Sequence, residues 1–426
     1  LAGALRAAKV KPGELVAVSA DGVDEVAGLC AVQAVNAVSV VTPSEAEFRD
    51  TGASRLLHSG RSWAPEGSLD ADALAGKPWS DWVTDSVEDP DRVVHVCLTS
   101  GTTGQPKLVE LTEKTASRRT NGYTALWPVE KAVSLFRSSS IAGFGAVISA
   151  IRERHPYIPV SSLDLPTLQL IGSDRVSGLS GAPNQVVQLV LAARAANVGL
   201  RFSTILTAGA PQTPQFLAAA RTVCDGVISN VYGSTECGTA AYSTEEAAAA
   251  FRGLPALDTE FEVVDQNRIP VAAGVEGEIR YRGPAQCTTY RVEGVEVPIT
   301  DPEGWFYPGD LGRIEADGTV VITGRTSDVV NIGGVKINPL IVEGSVEEID
   351  GVMDAACVPV TLPNGMTHLV LALVVQDNTA RNSAVSLVES MDPQGRPNLI
   401  IDVPSIPRNR NGKIDRTLLS DQLTRS

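Results

Sequence analysis

The chain is poor in the residues that would anchor a metal or a disulfide framework. It has four histidines in 426 residues, and its six cysteines, at 30, 97, 224, 237, 287 and 357, include no Cys-x-x-Cys pair. No histidine stands at a metal-ligand spacing, so a zinc site of the ordinary kind is excluded, and reduced thiols in a cytoplasmic protein are the expectation. Long apolar runs are also missing. A stretch such as IAGFGAVISAI (141–151) is too short to cross a bilayer, and no signal peptide is visible. Positive charge is scarce: 35 Lys and Arg against 50 Asp and Glu give a net charge of −15. That balance argues against nucleic acid or an anionic membrane as the main partner. An anionic ligand would then depend on a few local cations, which gain weight for that reason.

What remains is ordinary for a globular chain, with 43% hydrophobic and 20% charged residues. The length allows a large core and more than one domain. Through the first 255 residues, apolar runs alternate with helical periodicity. VAGLCAVQAVNAVSVV (26–41) reads as a helix entering a strand, and RVVHVCLT (92–99) reads as a buried strand. QVVQLVLAARAANV (185–198) reads as a helix, STILTA (203–208) as a strand, and TPQFLAAARTVC (213–224) as a helix capped by Thr213. GVISNVYG (226–233) returns as a strand. Such alternation implies an α/β architecture with a parallel sheet, whose ligands sit beyond the carboxyl ends of the strands. Beyond 255 the pattern turns β-like, in EFEVVD, GEIRYRG and GTVVITGR. After GRTSD (324–328) comes about a hundred residues of mixed pattern, enough for a small domain. By contrast, SRLLHSGRSWAPEGSLDADALAG (54–76) reads as loop-rich.

The most informative stretch is TSGTTGQPK, Thr99 to Lys107. Thr99, Ser100, Gly101, Thr102, Thr103 and Gly104 share one turn, where two glycines let backbone N–H groups approach a ligand closely. Four hydroxyls and Lys107 surround those amides, an arrangement suited to an oligophosphate. It is not a Walker loop, because Gln105 and Pro106 separate Gly104 from the lysine.

Three more segments follow in order: NVYGSTECG (230–238), WFYPGDLGR (305–313) and PRNRNGKIDR (407–416). With TSGTTGQPK, and with KPGELVAV, LTAGAP, GEIRYRGP and GRTSDVVNIGGVKINPLIVE between them, they make the chain resemble the adenylate-forming superfamily over nearly its whole length. That superfamily comprises acyl- and aryl-CoA synthetases, adenylation domains of peptide synthetases, and luciferases. The resemblance implies a large N-terminal domain (1–326) of α/β sheets plus a β-rich subdomain. It also implies a small mobile α+β domain (327–426) that carries the catalytic lysine.

The same resemblance implies that a carboxylic acid is activated with ATP and then passed to the thiol of coenzyme A, or to the pantetheine arm of an acyl carrier protein. It assigns the triphosphate to the Thr99–Lys107 loop and to Thr235. It assigns Mg2+ to Glu236, because a carboxylate beside a triphosphate needs a hard cation between them. Tyr232 and the backbone of Gly209, Ala210 and Pro211 would flank the adenine. Asp310 would accept the ribose hydroxyls, with Arg325 nearby. Lys413 would bridge the carboxylate and the α-phosphate, and Gly333-Gly334 would line the thiol channel after rotation about Ser327. Ser140, Ala142, Gly143, Ala208, Cys237 and Gly238 would line the acid pocket.

The chain also departs from the family pattern. Ser140 stands where CoA synthetases usually carry histidine, and Ser327 where Asp or Lys is usual. Leu108 and Glu113 replace a common glycine and histidine. FRSSS (136–140) offers no aspartate for a substrate ammonium, and Arg137 would repel one, which favours an acid without an α-amino group.

Overall fold

The computed structural model describes residues 1–74, 89–100, 106–173, 176–244, 250–292, 294–326, 330–332, 335–361, 367–393, 396–408 and 414–424. The chain has the α/β class read from its sequence. It divides into two compact units, the first comprising Leu1–Ser180, Gly233–Thr239 and Arg282–Phe306. The second comprises Gly181–Tyr232, Ala240–Tyr281 and Tyr307–Ser426.

The first unit is organised by an eight-stranded sheet. At its parallel side, Leu15–Ser19 lies between Val38–Val41 and Arg55–His58. Val38–Val41 pairs in parallel with Val93–Ser100. From there the sheet turns antiparallel: Val93–Ser100 pairs with Pro106–Thr112, which pairs with Thr289–Val292, which pairs with Val295–Pro298. The TSGTTGQPK sequence thus joins two antiparallel neighbours at the point where the sheet changes sense. Val16, Ala17, Val18, Val40, Val96 and Val109 are each 3% exposed or less, so this part of the sheet is covered on both faces. Arg55–His58 is a strand inside the segment that reads as loop-rich. Its four residues are too few to show a period, and parallel pairing on Leu15–Ser19 supplies the order that its sequence does not.

In the second unit, Phe202–Ala208 and Cys224–Ser234 are parallel, with the helix Pro214–Arg221 between them. Thr213 caps that helix, its hydroxyl accepting the Phe216 N–H at 3.2 Å. Further along, Glu260–Val264, Gly277–Arg282, Asp310–Ile314 and Val320–Arg325 are the expected β-rich region.

Residues 337–424 carry a core of their own. Val352–Thr361, Thr367–Val375 and Leu399–Asp402 form a three-stranded sheet. Its side chains divide by the two-residue period of a strand. Ala355, Cys357, Leu369, Leu371 and Leu373 pack with Val342, Val346, Ala380, Ala384 and Val388 of the helices Pro339–Glu347 and Asn378–Ser390. Ala356, Val358, Val360, Val370 and Ala372 pack with Ile406, Leu419 and Leu423. The expected boundary at 326/327 adjoins residues 327–329, outside the described residues.

Two arginines bracket the PRNRNGKIDR segment and tie both of its ends into this lobe. Arg408 forks onto Asp354 at 2.7 and 2.9 Å, and Arg416 pairs with the buried Glu343 while donating to the Cys357 carbonyl at 2.8 Å. Arg408 and Ile414 also form an antiparallel bridge. Residues 409–413, with Lys413 among them, lie outside the described residues.

Glu347 sits half-buried beside this network. Burial, reinforced by the charges of Asp354 and Glu343, pushes its carboxyl from the ordinary 4.5 up to about 8. The unfolded chain therefore gives up this proton first, and the stability of this lobe falls as pH rises from 4.5 to about 8. Glu347→Gln should flatten that part of the pH profile in thermal melts; an unchanged profile would show that the residue ionises freely in the folded state. Leu371→Ala, which empties a fully buried site, should cost roughly 2–5 kcal/mol in denaturant titration.

Candidate active site

In the first unit, Thr99 and Ser100 end the strand Val93–Ser100, and Lys107 is the second residue of the return strand Pro106–Thr112. The Thr99 hydroxyl donates to the Lys107 carbonyl at 3.2 Å and ties the two together. Gly101, Thr102, Thr103 and Gly104 lie outside the described residues.

Thr235 and Glu236 form the turn between Cys224–Ser234 and Gly238–Ser243. The first of these strands runs on through Ser234, so Tyr232 is part of a strand and only Thr235, Glu236 and Cys237 make the connection. Close approach dictates both glycines beside it. A Cβ on Gly233 would lie 2.0 Å from the Gly238 carbonyl oxygen, and Gly238 has φ +70° with the Arg119 side chain 3.1 Å from its Cβ position.

Arg119, on the helix Glu113–Leu126, holds this turn in place. Its guanidinium donates to the carbonyls of Thr235 at 2.9 Å, Glu236 at 2.7 Å and Ala285 at 2.8 Å, and to Cys287 Sγ at 3.2 Å. The Glu236 carbonyl also accepts the Cys287 N–H at 2.8 Å. Five donors in a rigid fork suit this cluster of acceptors, and a lysine could not serve them at once. Cys97, Cys237 and Cys287 surround it; burial pushes all three thiols up, Cys97 to about 12, so they remain neutral.

The Glu236 carboxylate accepts the Tyr290 hydroxyl at 2.8 Å through Oε1, and Lys107 Nζ lies 4.9 Å from the centre of the Tyr290 ring. Tyr290 pairs with Val109 across the antiparallel strands. The two-residue period puts Lys107 on the same face, on the diagonal from that pair. Neither Arg119 nor Tyr290 stands out in the sequence. Both act on segments more than fifty residues distant, and no local pattern marks them.

Magnesium can be tested against this arrangement. Among the described residues no group of three His, Cys, Asp or Glu side chains forms a cage. Tyr290 occupies Oε1 of Glu236, and Oε2 has no protein partner among the described residues. One carboxylate oxygen completed by substrate phosphates is the usual way magnesium is held, so the donor set fits.

The first unit also holds Ser140, Ala142, Gly143, Cys237 and Gly238. Ser140 caps the helix Ile141–Glu153: its hydroxyl accepts the Gly143 N–H at 3.2 Å and donates to the Arg137 carbonyl at 2.7 Å. A Cβ at Gly143 would lie 2.1 Å from that same carbonyl oxygen, which requires glycine there. Ser140, the departure from the family's usual histidine, thus serves here as a helix cap. Beneath this helix His95 stacks on Phe144, with ring centres 3.6 Å apart, and hydrogen-bonds Ser39 at 2.8 Å. Burial holds its imidazole down to about 3, hence neutral.

In the second unit, Ala208 ends the strand Phe202–Ala208, and Gly209, Ala210 and Pro211 follow as a turn in which Gly209 has φ +86°. Gln212 anchors that turn, donating to Thr207 Oγ1 at 2.9 Å. Tyr232 packs among Phe251, Phe261 and Tyr281 and donates its hydroxyl to Asp310. Asp310 is 3% exposed and takes Arg325 on its other oxygen at 2.9 Å. The structure thus joins Tyr232, Asp310 and Arg325, three residues spread over 94 positions, in one polar chain. Gly333 and Gly334 lie outside the described residues, as does Ser327.

Comparison with known proteins matches this architecture. The family model for AMP-binding enzymes matches residues 1–291. Phenyloxazoline synthase MbtB of Mycobacterium sp. (strain MCS) is 26% identical over all of this chain, which spans only 39% of that protein's length. A medium/long-chain-fatty-acid–[acyl-carrier-protein] ligase, FadD10 of Mycobacterium tuberculosis, is 26% identical over 84% of the chain and 70% of its own length. Among solved structures, O-succinylbenzoate coenzyme A synthetase (MenE) from Bacillus subtilis, in complex with ATP and magnesium, superposes with a TM-score of 0.79 at 19% identity. That match covers 99% of this chain and 92% of the other. Among the described residues no helix is long and apolar enough to cross a membrane. The chain belongs to the AMP-binding enzyme family of the adenylate-forming superfamily.

Proposed function

We propose that the protein activates a small carboxylic acid with ATP and passes the acyl group to the thiol of coenzyme A. A carboxylate oxygen attacks the α-phosphorus, the bond to the α–β bridging oxygen breaks, and pyrophosphate leaves. The thiol then attacks the acyl carbon, losing its proton as AMP departs. The observation that carries this reading is the Thr235–Glu236 turn. It is fixed through its backbone carbonyls by Arg119, so the Glu236 carboxylate keeps one oxygen for a cation while Lys107, on the strand Pro106–Thr112, stands against the Tyr290 ring.

In this reading the Thr99–Lys107 loop and Thr235 bind the β- and γ-phosphates, and Lys107 meets the leaving pyrophosphate. Glu236 holds magnesium, which neutralises charge on the phosphates when bound. Gly209, Ala210, Pro211 and Tyr232 flank the adenine. Asp310, already oriented by Tyr232 and Arg325, takes the ribose hydroxyls. The division at 326/327 makes residues 327–426 a lobe that delivers Lys413 to the carboxylate and α-phosphate. Rotation about Ser327 then exchanges that lysine for Gly333-Gly334 at the thiol channel. Ala142, Gly143, Ala208, Cys237 and Gly238, with Ser140 at the helix cap, form the acid pocket. The pocket's small side chains favour an apolar acyl group without an α-amino substituent.

A second reading sends the acyl group to a carrier protein's pantetheine arm. The match over most of the chain to FadD10, an acyl-carrier-protein ligase, favours this acceptor. Parallel assays of one acid with coenzyme A and with a pantetheinylated carrier separate the two.

A panel of carboxylic acids screened by ATP–pyrophosphate exchange tests the central claim; no exchange with any acid would defeat it. Lys413→Ala should lower exchange by roughly 10²–10³-fold or more, yet leave thioester formation from synthetic acyl-AMP nearly intact. Equal loss in both steps would rule out a lobe with two working positions.

A further inference from the structure

Lys107 and Glu236 carry opposite charges in a half-buried place, and Tyr290 touches both, its ring 4.9 Å from the ammonium and its hydroxyl 2.8 Å from the carboxylate. Among the described residues no ion pair joins the two directly. We propose that Tyr290 is a positioning residue that keeps Lys107 and Glu236 apart, leaving the lysine free for an oligophosphate and the carboxylate free for its metal. The inference rests on the reading of Glu236 given above.

The physical reason lies in the two kinds of contact. A ring face attracts an ammonium through its quadrupole and leaves its net charge uncancelled. A phenol donates one hydrogen bond to a carboxylate and likewise leaves its charge in place. A direct Lys–Glu pair would instead cancel both charges, and opposite charges at partly buried sites attract strongly enough to form one.

The scaffold keeps the tyrosine in register. Tyr290 is fixed opposite Val109, while Arg291, on the other face, pairs with Glu110 at 2.6 Å. A slip by one residue would break that pair and turn Tyr290 away from Lys107. The 2.8 Å bond from the Cys287 N–H to the Glu236 carbonyl further holds the turn to the segment that leads into this strand.

The test is calorimetric titration of the intact protein with ATP, with and without Mg2+. Wild type should bind ATP more tightly with the metal. Tyr290→Phe removes the hydroxyl and keeps the ring. It should lose about tenfold of the metal's advantage, the worth of one hydrogen bond to a charged group, while metal-free affinity stays nearly unchanged. Tyr290→Leu frees both charged groups and should lose metal-free affinity as well. Tyr290→His, with a ring N–H donor, should recover part of the advantage and serves if the Phe variant folds poorly. Glu236→Gln should abolish the advantage, and adding Tyr290→Phe to it should change nothing further. If Glu236→Gln loses the advantage while Tyr290→Phe and Tyr290→His both keep it in full, the spacer role is wrong and the assignment of Glu236 stands. If Glu236→Gln keeps the advantage, both fall.

Discussion

In the first unit the guanidinium of Arg119 ties together two stretches of irregular chain. The turn that carries Thr235 and Glu236 and the loop around Ala285 and Cys287 both lie outside helices and strands. Each exposes carbonyl oxygens that a buried position would leave unsatisfied. One planar cation satisfies three of them and a thiol at once. The surrounding cysteines are neutral and small, so the site has low polarity and these charge-assisted bonds gain strength from it. The turn is thereby fixed through its main chain, and the side chains of Thr235 and Glu236 remain available for other work. A turn held through its side chains would have no chemistry left to offer.

This explains which parts of the molecule could be read in advance. The strand ahead of the phosphate loop, the Thr213 cap and the three-stranded sheet of the last hundred residues follow from local pattern. In that sheet the alternation of Ala355, Cys357, Leu369 and Leu371 against Ala356, Val358, Val370 and Ala372 assigns each side chain a face before any partner is known. Arg119 and Tyr290 could not be found this way. The arginine's partners lie 116 to 168 residues further on, and Tyr290 meets Glu236 from 54 residues away. Ser140 illustrates a different gap. Family comparison marks it as an absent histidine, whereas its two hydrogen bonds make it a helix cap, a role that belongs to the helix start.

The second unit solves a different problem. Asp310 is buried, and a buried carboxylate is costly unless its oxygens are met by donors. Tyr232 and Arg325 meet them, and the aromatic group of Phe251, Phe261 and Tyr281 holds the tyrosine ring in turn. Tyr232 and Arg325 fix where Asp310 points. Asp310 and the aromatic packing fix Tyr232. Each residue is positioned by another that is itself constrained, which is how a site acquires a geometry sharper than any single rotamer preference would give.

The two arrangements use charge in opposite ways. Arg325 is half neutralised by Asp310, so its value is directional: it sets the orientation of a carboxylate. Lys107 rests on a π face and keeps its charge whole. In a chain with fifteen more acids than bases, many arginines pair with a carboxylate, as Arg55, Arg61, Arg92, Arg291, Arg408 and Arg416 do. A cation intended for an anionic ligand has to be kept from that fate. An aromatic ring that holds it does so without adding a competing charge, and the same ring's hydroxyl steadies the Glu236 carboxylate. In a chain of this net charge, a tyrosine that touches both Lys107 and Glu236 serves the proposed spacer role by holding the lysine without cancelling its charge.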